Sequence, residues 1–153
     1  MTKYWGPSTW FLFHTLAEKI KDDKFPEMKN ELLSIIRQIC SHLPCPECAG
    51  HAQAKLGTLD SNLIKTKHDL QLVLLSFHNF VNQRLGKPSW TEEQLNTKYK
   101  LAKMVDIVQY FIQIWTKPNP NPRLITYNYH KGQTVNTFIK WWNTHCENFD
   151  YKN

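Results

Sequence analysis

Apolar residues recur along most of the chain with the spacing of a helix. Trp10, Phe13, His14, Ala17 and Ile20 fall three, four, seven and ten positions on from the first. They predict a helix from about Pro7 to Lys21, with Pro7 suited to its first turn. Leu32, Ile35, Ile36 and Ile39 share a face of a second helix, from about Pro26 to Leu43, and Pro44 discourages its continuation. A third starts at Cys45-Pro46-Glu47-Cys48 and runs to about Leu56, where Gly57 can stop it. Leu70, Val73, Leu74, Phe77, Val81 and Leu85 form the stripe of a fourth, from about Asp69 to Leu85, with Gly86 as its stop. A fifth spans Glu92 to Lys103, and Thr91 with Gln94 fits a capping box at its start.

The last third reads differently. Met104, Ile107, Val108, Phe111, Ile114 and Trp115 make another helical stripe. Pro118, Pro120 and Pro122 alternate with asparagines and favour an extended connector. Leu124 to Tyr129 reads as a short extended piece. Val135, Phe138, Ile139, Trp142, Cys146 and Phe149 fit a final amphipathic helix. Nothing before residue 104 reads as a pair of strands, and no repeat is present. The expected fold class is all-α: a four-helix bundle with a short fifth helix, followed by a C-terminal helical extension.

Composition narrows the function classes. A length of 153 residues suits one domain, and a 41% hydrophobic share excludes a disordered tail. No apolar run approaches the ~18 residues that a membrane span needs. The start, Met1 to Pro7, lacks the apolar stretch of a secretory signal, so a cytoplasmic protein is expected. A net charge of +6 raises the case for nucleic acid, but the lysines are dispersed and no block of five forms. A solvated surface explains such a distribution better, and no nucleic-acid partner is expected.

Cys40, Cys45, Cys48 and Cys146 are too few for a disulfide-built secreted scaffold. The Cys45–Cys48 pair therefore points to redox chemistry or to metal. A helix N-terminus stabilises a thiolate, which is both nucleophile and leaving group in disulfide exchange. The competing reading is a zinc-stabilised binding module, with Cys45, Cys48, His51 and either His42 or Cys40 as ligands. Zinc sites more often use two separated pairs, and no second pair exists here. Haem attachment fails because Ala49 follows Cys48, and a thioredoxin fold fails for want of alternating strands. A third reading is a basic scaffold that binds a partner through its aromatic C-terminal region. Redox is favoured over zinc, and both stay open on spacing alone.

Two further stretches carry candidate chemistry. In Phe77-His78-Asn79-Phe80-Val81-Asn82-Gln83-Arg84-Leu85-Gly86-Lys87-Pro88, His78 and Asn82 share a helix face and Arg84 and Lys87 follow at its end. Polar groups beside an apolar stripe and a basic helix end suit an aromatic ligand that carries phosphates. A helix whose polar face simply meets water is the plainer explanation. In Trp5-Gly6-Pro7-Ser8-Thr9-Trp10, with His14 one turn on, core packing is the plainer explanation for Trp10 and a turn for Gly6.

Taken together, the three stretches resemble the Erv/ALR family of FAD-linked sulfhydryl oxidases, in order and spacing, over about residues 5 to 100. The resemblance implies a helical bundle that holds FAD, pairs as a homodimer, and converts two thiols to a disulfide while oxygen becomes hydrogen peroxide. It implies that Cys45 meets substrate and that Cys48 faces the flavin. Gly6, Trp10 and His14 would belong to the FAD pocket. His78, Asn79 and Asn82 would contact the adenosine half, Lys87 would lie near the phosphates, Arg84 would belong to the cofactor site, and Tyr99 would be the aromatic beyond the Lys87-Pro88 turn. The substrate class would be a dithiol protein, such as a thioredoxin-like one.

Two departures stand out. Many cellular members tie the fourth helix to the fifth with a second disulfide, and here those positions are Leu75 and Glu92. A Trp usual on the fourth helix is replaced by Val73. In this the chain is similar to the short oxidases of large DNA viruses, which implies the host cytoplasm or the virion. Cys40 is expected to be a buried inert thiol. Cys146 could be inert, pair with Cys40, or pair between chains. The resemblance leaves residues 104–153 uncovered, so the chain divides into an oxidase-like domain at 1–103 and the extension. Rings such as Phe111, Trp115 and Phe138 must be buried somewhere, at roughly 1.5–3 kcal/mol each. The extension is expected to pack on its own chain and to enlarge or replace the dimer interface, thickening of the monomer being the alternative.

Overall fold

The computed structural model describes residues 5–118 and 120–151. Among the described residues seven α-helices follow one another: α1 Trp5–Lys19, α2 Phe25–Ser41, α3 Pro46–Gly57, α4 Lys67–Arg84, α5 Glu92–Lys100, α6 Met104–Thr116 and α7 Ile125–His145. No strand forms among the described residues; the one extended pairing is an isolated bridge between Ile20 and Phe149. The architecture is all-α, as the helical period required.

Local signals set most boundaries. Thr66 and Asp69 close a capping box at the head of α4, and Thr91 and Gln94 close the expected one at the head of α5. Each such cap stabilises its helix by roughly 1 kcal/mol. α4 ends in a tight turn: Gly86 takes a left-handed φ of 68°, Gly86 N donates to Gln83 O at 3.3 Å, and Lys87 N donates to Asn82 O at 2.8 Å. This double closure reverses the chain and needs a residue without a Cβ at its centre. Residues 87–90 are thereby turned back along α4.

α1 packs against α4, α5 and α6, while α2 packs against α3 and α7. One apolar cluster joins Leu12, Phe13 and Leu16 of α1 to Ile36 of α2, Leu74 of α4, Phe111 and Trp115 of α6, and Phe138 of α7. The extension therefore packs on its own chain and shares the core of the first five helices. Trp115, Phe111 and Phe138 are fully buried, and Trp115 Nε1 donates to Thr9 Oγ1 at 3.0 Å inside that core.

Four expectations are corrected, three of them in the C-terminal third. Leu124 to Tyr129 is helical, because Asn121 caps Arg123 N at 3.0 Å and Pro122 opens a 3-10 turn that runs into α7. The fixed φ of proline suits a first helical turn as well as an extended connector. Asn119, inside the expected connector, lies outside the described residues. The last helix stops at His145, and Phe149 reaches the core from an extended segment instead of a helical stripe. There Lys21 N donates to Asn148 O and Asp150 N to Lys19 O, clasping the chain end onto α1. Leu85, expected in the α4 stripe, is 49% exposed at the end of its helix. Lys131 is buried instead of solvated, because its ammonium donates to Lys117 O at 2.6 Å and ties α7 to the end of α6.

Candidate active site

The Cys45–Cys48 pair sits where α2 ends and α3 begins. Pro46 occupies the first turn of α3, and Cys45 is its N-cap. The two cysteines form a disulfide with their Cα atoms 5.2 Å apart. Cys48 N donates to Cys45 Sγ at 3.2 Å. That amide, at the positive end of the helix dipole, stabilises charge on Cys45 sulfur once the disulfide opens.

Beside the pair lies a cavity of about 730 Å³, walled by α1, α2, α3, α4, α5 and the 87–90 turn. That size falls within the usual range of small-molecule and cofactor sites. Cys48 lines it and Cys45 does not. Trp10, Phe77, His78, Trp90 and Tyr99 give it aromatic walls, and Arg84, Lys87 and Lys98 bring cations to it. Trp10 stacks on His78 with ring centroids 4.1 Å apart and planes 8° from parallel. Arg84 Nη2 donates to His51 Nε2 at 3.0 Å, linking α4 to α3.

Of the expected cofactor residues, Gly6, Trp10, His78, Asn82, Arg84, Lys87 and Tyr99 line this cavity. His14 and Asn79 do not reach it. His14 stands behind His78, with its Nε2 sharing a 2.9 Å hydrogen bond with His78 Nδ1. Asn79 clamps the returning turn: its Nδ2 donates to Trp90 O at 2.8 Å and its Oδ1 accepts from Trp90 N at 2.7 Å. Asn82 Nδ2 also donates, to Pro88 O at 3.2 Å. The two asparagines thus hold Trp90 and Pro88 in the cavity wall. Lys98 and Trp90 were not foreseen. Lys98 Nζ lies 5.0 Å from the Trp90 ring centroid and 4.6 Å from that of Phe11, held by the ring faces. Only a helical register for Tyr99 could have pointed to its neighbour.

Burial sets the electrostatics. It is the main cause that pulls His14 down to about 3 and His78 to about 4, with neighbouring positive charge adding to both. Both imidazoles are therefore neutral near pH 7, and one donates to the other. Burial also lowers Lys98 and raises Tyr99 and Cys40. Cys40 is a free, fully buried thiol in the cavity wall, and such a thiol is inert. Cys146 is free as well, so the two are not joined.

An FAD molecule would need aromatic surface for two ring systems, cations for a diphosphate, and a redox partner at the isoalloxazine. The cavity supplies each: ring walls, three cations and Cys48. The zinc reading fails on the same geometry. The two thiols are bonded to each other, His51 accepts from Arg84, and His42 is engaged by Ser41 and Gln38. Among the described residues no cluster of three potential ligands forms.

Residues 7–101 match the model of the Erv1/Alr family. The chain belongs to the Erv1/Alr family. A protein of Invertebrate iridescent virus 3 described as an FAD-linked sulfhydryl oxidase is 30% identical over 100 residues, 65% of this chain and 68% of its own. The FAD-linked sulfhydryl oxidase of African swine fever virus (isolate Warthog/Namibia/Wart80/1980) is 30% identical over 116 residues, 74% of this chain and 97% of its own. The FAD-linked sulfhydryl oxidase ERV1 of Oryza sativa subsp. japonica is 28% identical over 96 residues, 61% of this chain and 48% of its own. No solved structure matches the chain. The family model's match ends before α6, at residue 101.

Proposed function

We propose that this Erv1/Alr protein is an FAD-dependent thiol oxidase that makes disulfides in dithiol proteins and reduces molecular oxygen to hydrogen peroxide. One observation carries the reading: the Cys45–Cys48 disulfide heads α3 with Cys48 in the wall of an aromatic, cation-bearing cavity and Cys45 outside it. The relatives' names support the same chemistry.

In this reading a substrate thiolate attacks Cys45 Sγ. A mixed disulfide forms, the Cys45–Cys48 bond breaks, and Cys48 leaves as a thiolate. A second substrate thiolate then attacks the substrate sulfur of the mixed disulfide. The oxidised substrate departs, and Cys45 leaves as a thiolate stabilised by the Cys48 amide. Trp10, Phe77, His78 and Tyr99 would hold the ring systems of FAD, and Arg84, Lys87 and Lys98 its phosphates, with Gly6 and Asn82 completing the wall. Bound FAD supplies the two-electron oxidation that restores the Cys45–Cys48 disulfide and passes the electrons to oxygen. His14 and Asn79 act one layer back, by fixing His78 and Trp90.

The finer parts of the reading are a thioredoxin-like substrate, a homodimer, a location in the cytoplasm, and an oxidase unit at residues 1–103 extended by 104–153. Exposed Leu72, Leu101 and Val105 offer apolar surface for a second copy. No helix among the described residues is long and apolar enough to cross a membrane.

The test is an absorption spectrum joined to oxygen uptake. Purified protein should be yellow, release flavin on denaturation, and consume oxygen with dithiothreitol. Colourless protein from a flavin-replete host, with no oxygen uptake, would refute the reading.

A further inference from the structure

We infer that His51 is a positioning residue: its neutral imidazole latches Arg84 into the cavity wall, where the guanidinium meets a phosphate of the cofactor, and protonation of that imidazole opens the latch. The inference deepens the proposed function and rests on FAD being the ligand of the cavity.

Arg84 Nη2 and His51 Nε2 are 3.0 Å apart. A guanidinium only donates, and it keeps its charge, so the direction of this bond is fixed. His51 Nε2 must therefore carry no proton, and the ring's own proton sits on Nδ1. Protonated at both nitrogens, the ring could no longer accept and would set a second positive charge against the first. Arg84 is an exposed side chain at the end of α4, and among the described residues no carboxylate pairs with it. His51 is what holds it on the cavity wall that both residues line.

The charges around the pair point to an anion. Among the described residues Glu47, one turn before His51 on α3, is the one carboxylate in the wall. Arg84, Lys87 and Lys98 bring positive charge to the same wall, while α1 and α2 contribute no charged side chain to it. Lys55, one turn after His51, lies over the Phe80 ring at 5.1 Å from its centroid. A neutral acceptor suits such a place. A carboxylate at position 51 would hold the guanidinium but offset its charge, whereas an imidazole leaves that charge free for a diphosphate. Cys48 also stands one turn before His51, so the latch ties the phosphate cation to the helix that carries the redox pair.

The experiment loads the full chain with FAD and follows the fluorescence of flavin released on dilution, at about pH 7.5 and about pH 5.5, a range in which histidine changes charge. His14 and His78, held at about 3 and about 4, stay neutral across it. Wild-type release should be about tenfold faster at the lower pH. His51→Leu should show the faster rate at both values. His51→Gln, whose amide oxygen accepts from Arg84 but does not titrate, should keep the slower rate at both. Arg84→Leu should lose the pH dependence, and adding His51→Leu to it should change nothing further, because His51 acts through Arg84. Additive losses in the double variant, or an acid acceleration that persists in His51→Gln, would overturn the latch. So would wild-type release that is unchanged or slower in acid, since the protonated ring would then hold phosphate itself. A full chain that takes up no flavin at all would instead remove the FAD reading, and the latch with it.

Discussion

His14 and His78 share one buried hydrogen bond, Nε2 to Nδ1 at 2.9 Å, across 64 positions of sequence. One of the two facing nitrogens must carry no proton, so the bond is lost when both rings are protonated. Burial, with the positive charge of neighbouring groups added, holds them at about 3 and about 4 against an ordinary 6.5.

Acid should therefore unfold the protein from the cavity outward. Between the folded and unfolded values the unfolded chain binds more protons, so stability rises with pH. It is complete above about pH 6.5 and falls as pH drops toward 3, by about 1.4 kcal/mol per pH unit for each histidine still held neutral. Melting temperature against pH should show this limb, and His14→Phe should flatten part of it. A flat melting profile from pH 7 to pH 4.5 in wild type would disprove the coupling.

The two cysteines should differ in one respect only. Cys45→Ser and Cys48→Ser should each lower thiol oxidation by roughly a thousandfold or more while flavin stays bound. Cys48 alone lines the cavity, so Cys45→Ser leaves a thiolate that perturbs the flavin spectrum. A perturbation confined to Cys48→Ser would reverse the two roles.

Gly86→Ala isolates backbone strain. No atom lies within 4 Å of the added Cβ, so the cost comes from φ 68° alone, about 1–2 kcal/mol. The turn that aims Lys87, Pro88 and Trp90 should loosen, and flavin should dissociate faster than from wild type. Chemical denaturation and flavin release measure the two effects. Unchanged flavin release would separate the turn from the cavity.

Truncation after Lys103 should do more than alter assembly. It strips Phe111 and Trp115 from α1 and leaves Thr9 Oγ1 without the Trp115 donor. Several buried rings at roughly 1.5–3 kcal/mol each exceed the margin of a domain this size. The truncated chain should be insoluble or flavin-free. A soluble yellow product with full activity on dithiothreitol would mean that residues 5–103 fold alone.

What the sequence by itself determined is local. The helical period, the Thr91–Gln94 box, the cysteine pair at a helix start and the Gly86 stop each depend on residues within about four positions of one another. The motif residues of α4 were legible for the same reason, one helix face carrying His78, Asn82 and their neighbours. Which layer each occupies was decided only in three dimensions. Asn79 and Asn82 differ by three positions, yet Asn79 grips Trp90 behind the wall while Asn82 faces the cavity. His14 was set behind His78 by the docking of α1 on α4, and Lys98 was brought to the cavity by the packing of α5 on α1. The start of α7 was misread because proline fixes one dihedral angle that helix and extended chain share, and neighbouring contacts choose between them. Periodicity says that a face is buried; only the packed partner says against what, and how far its side chains stand from the site.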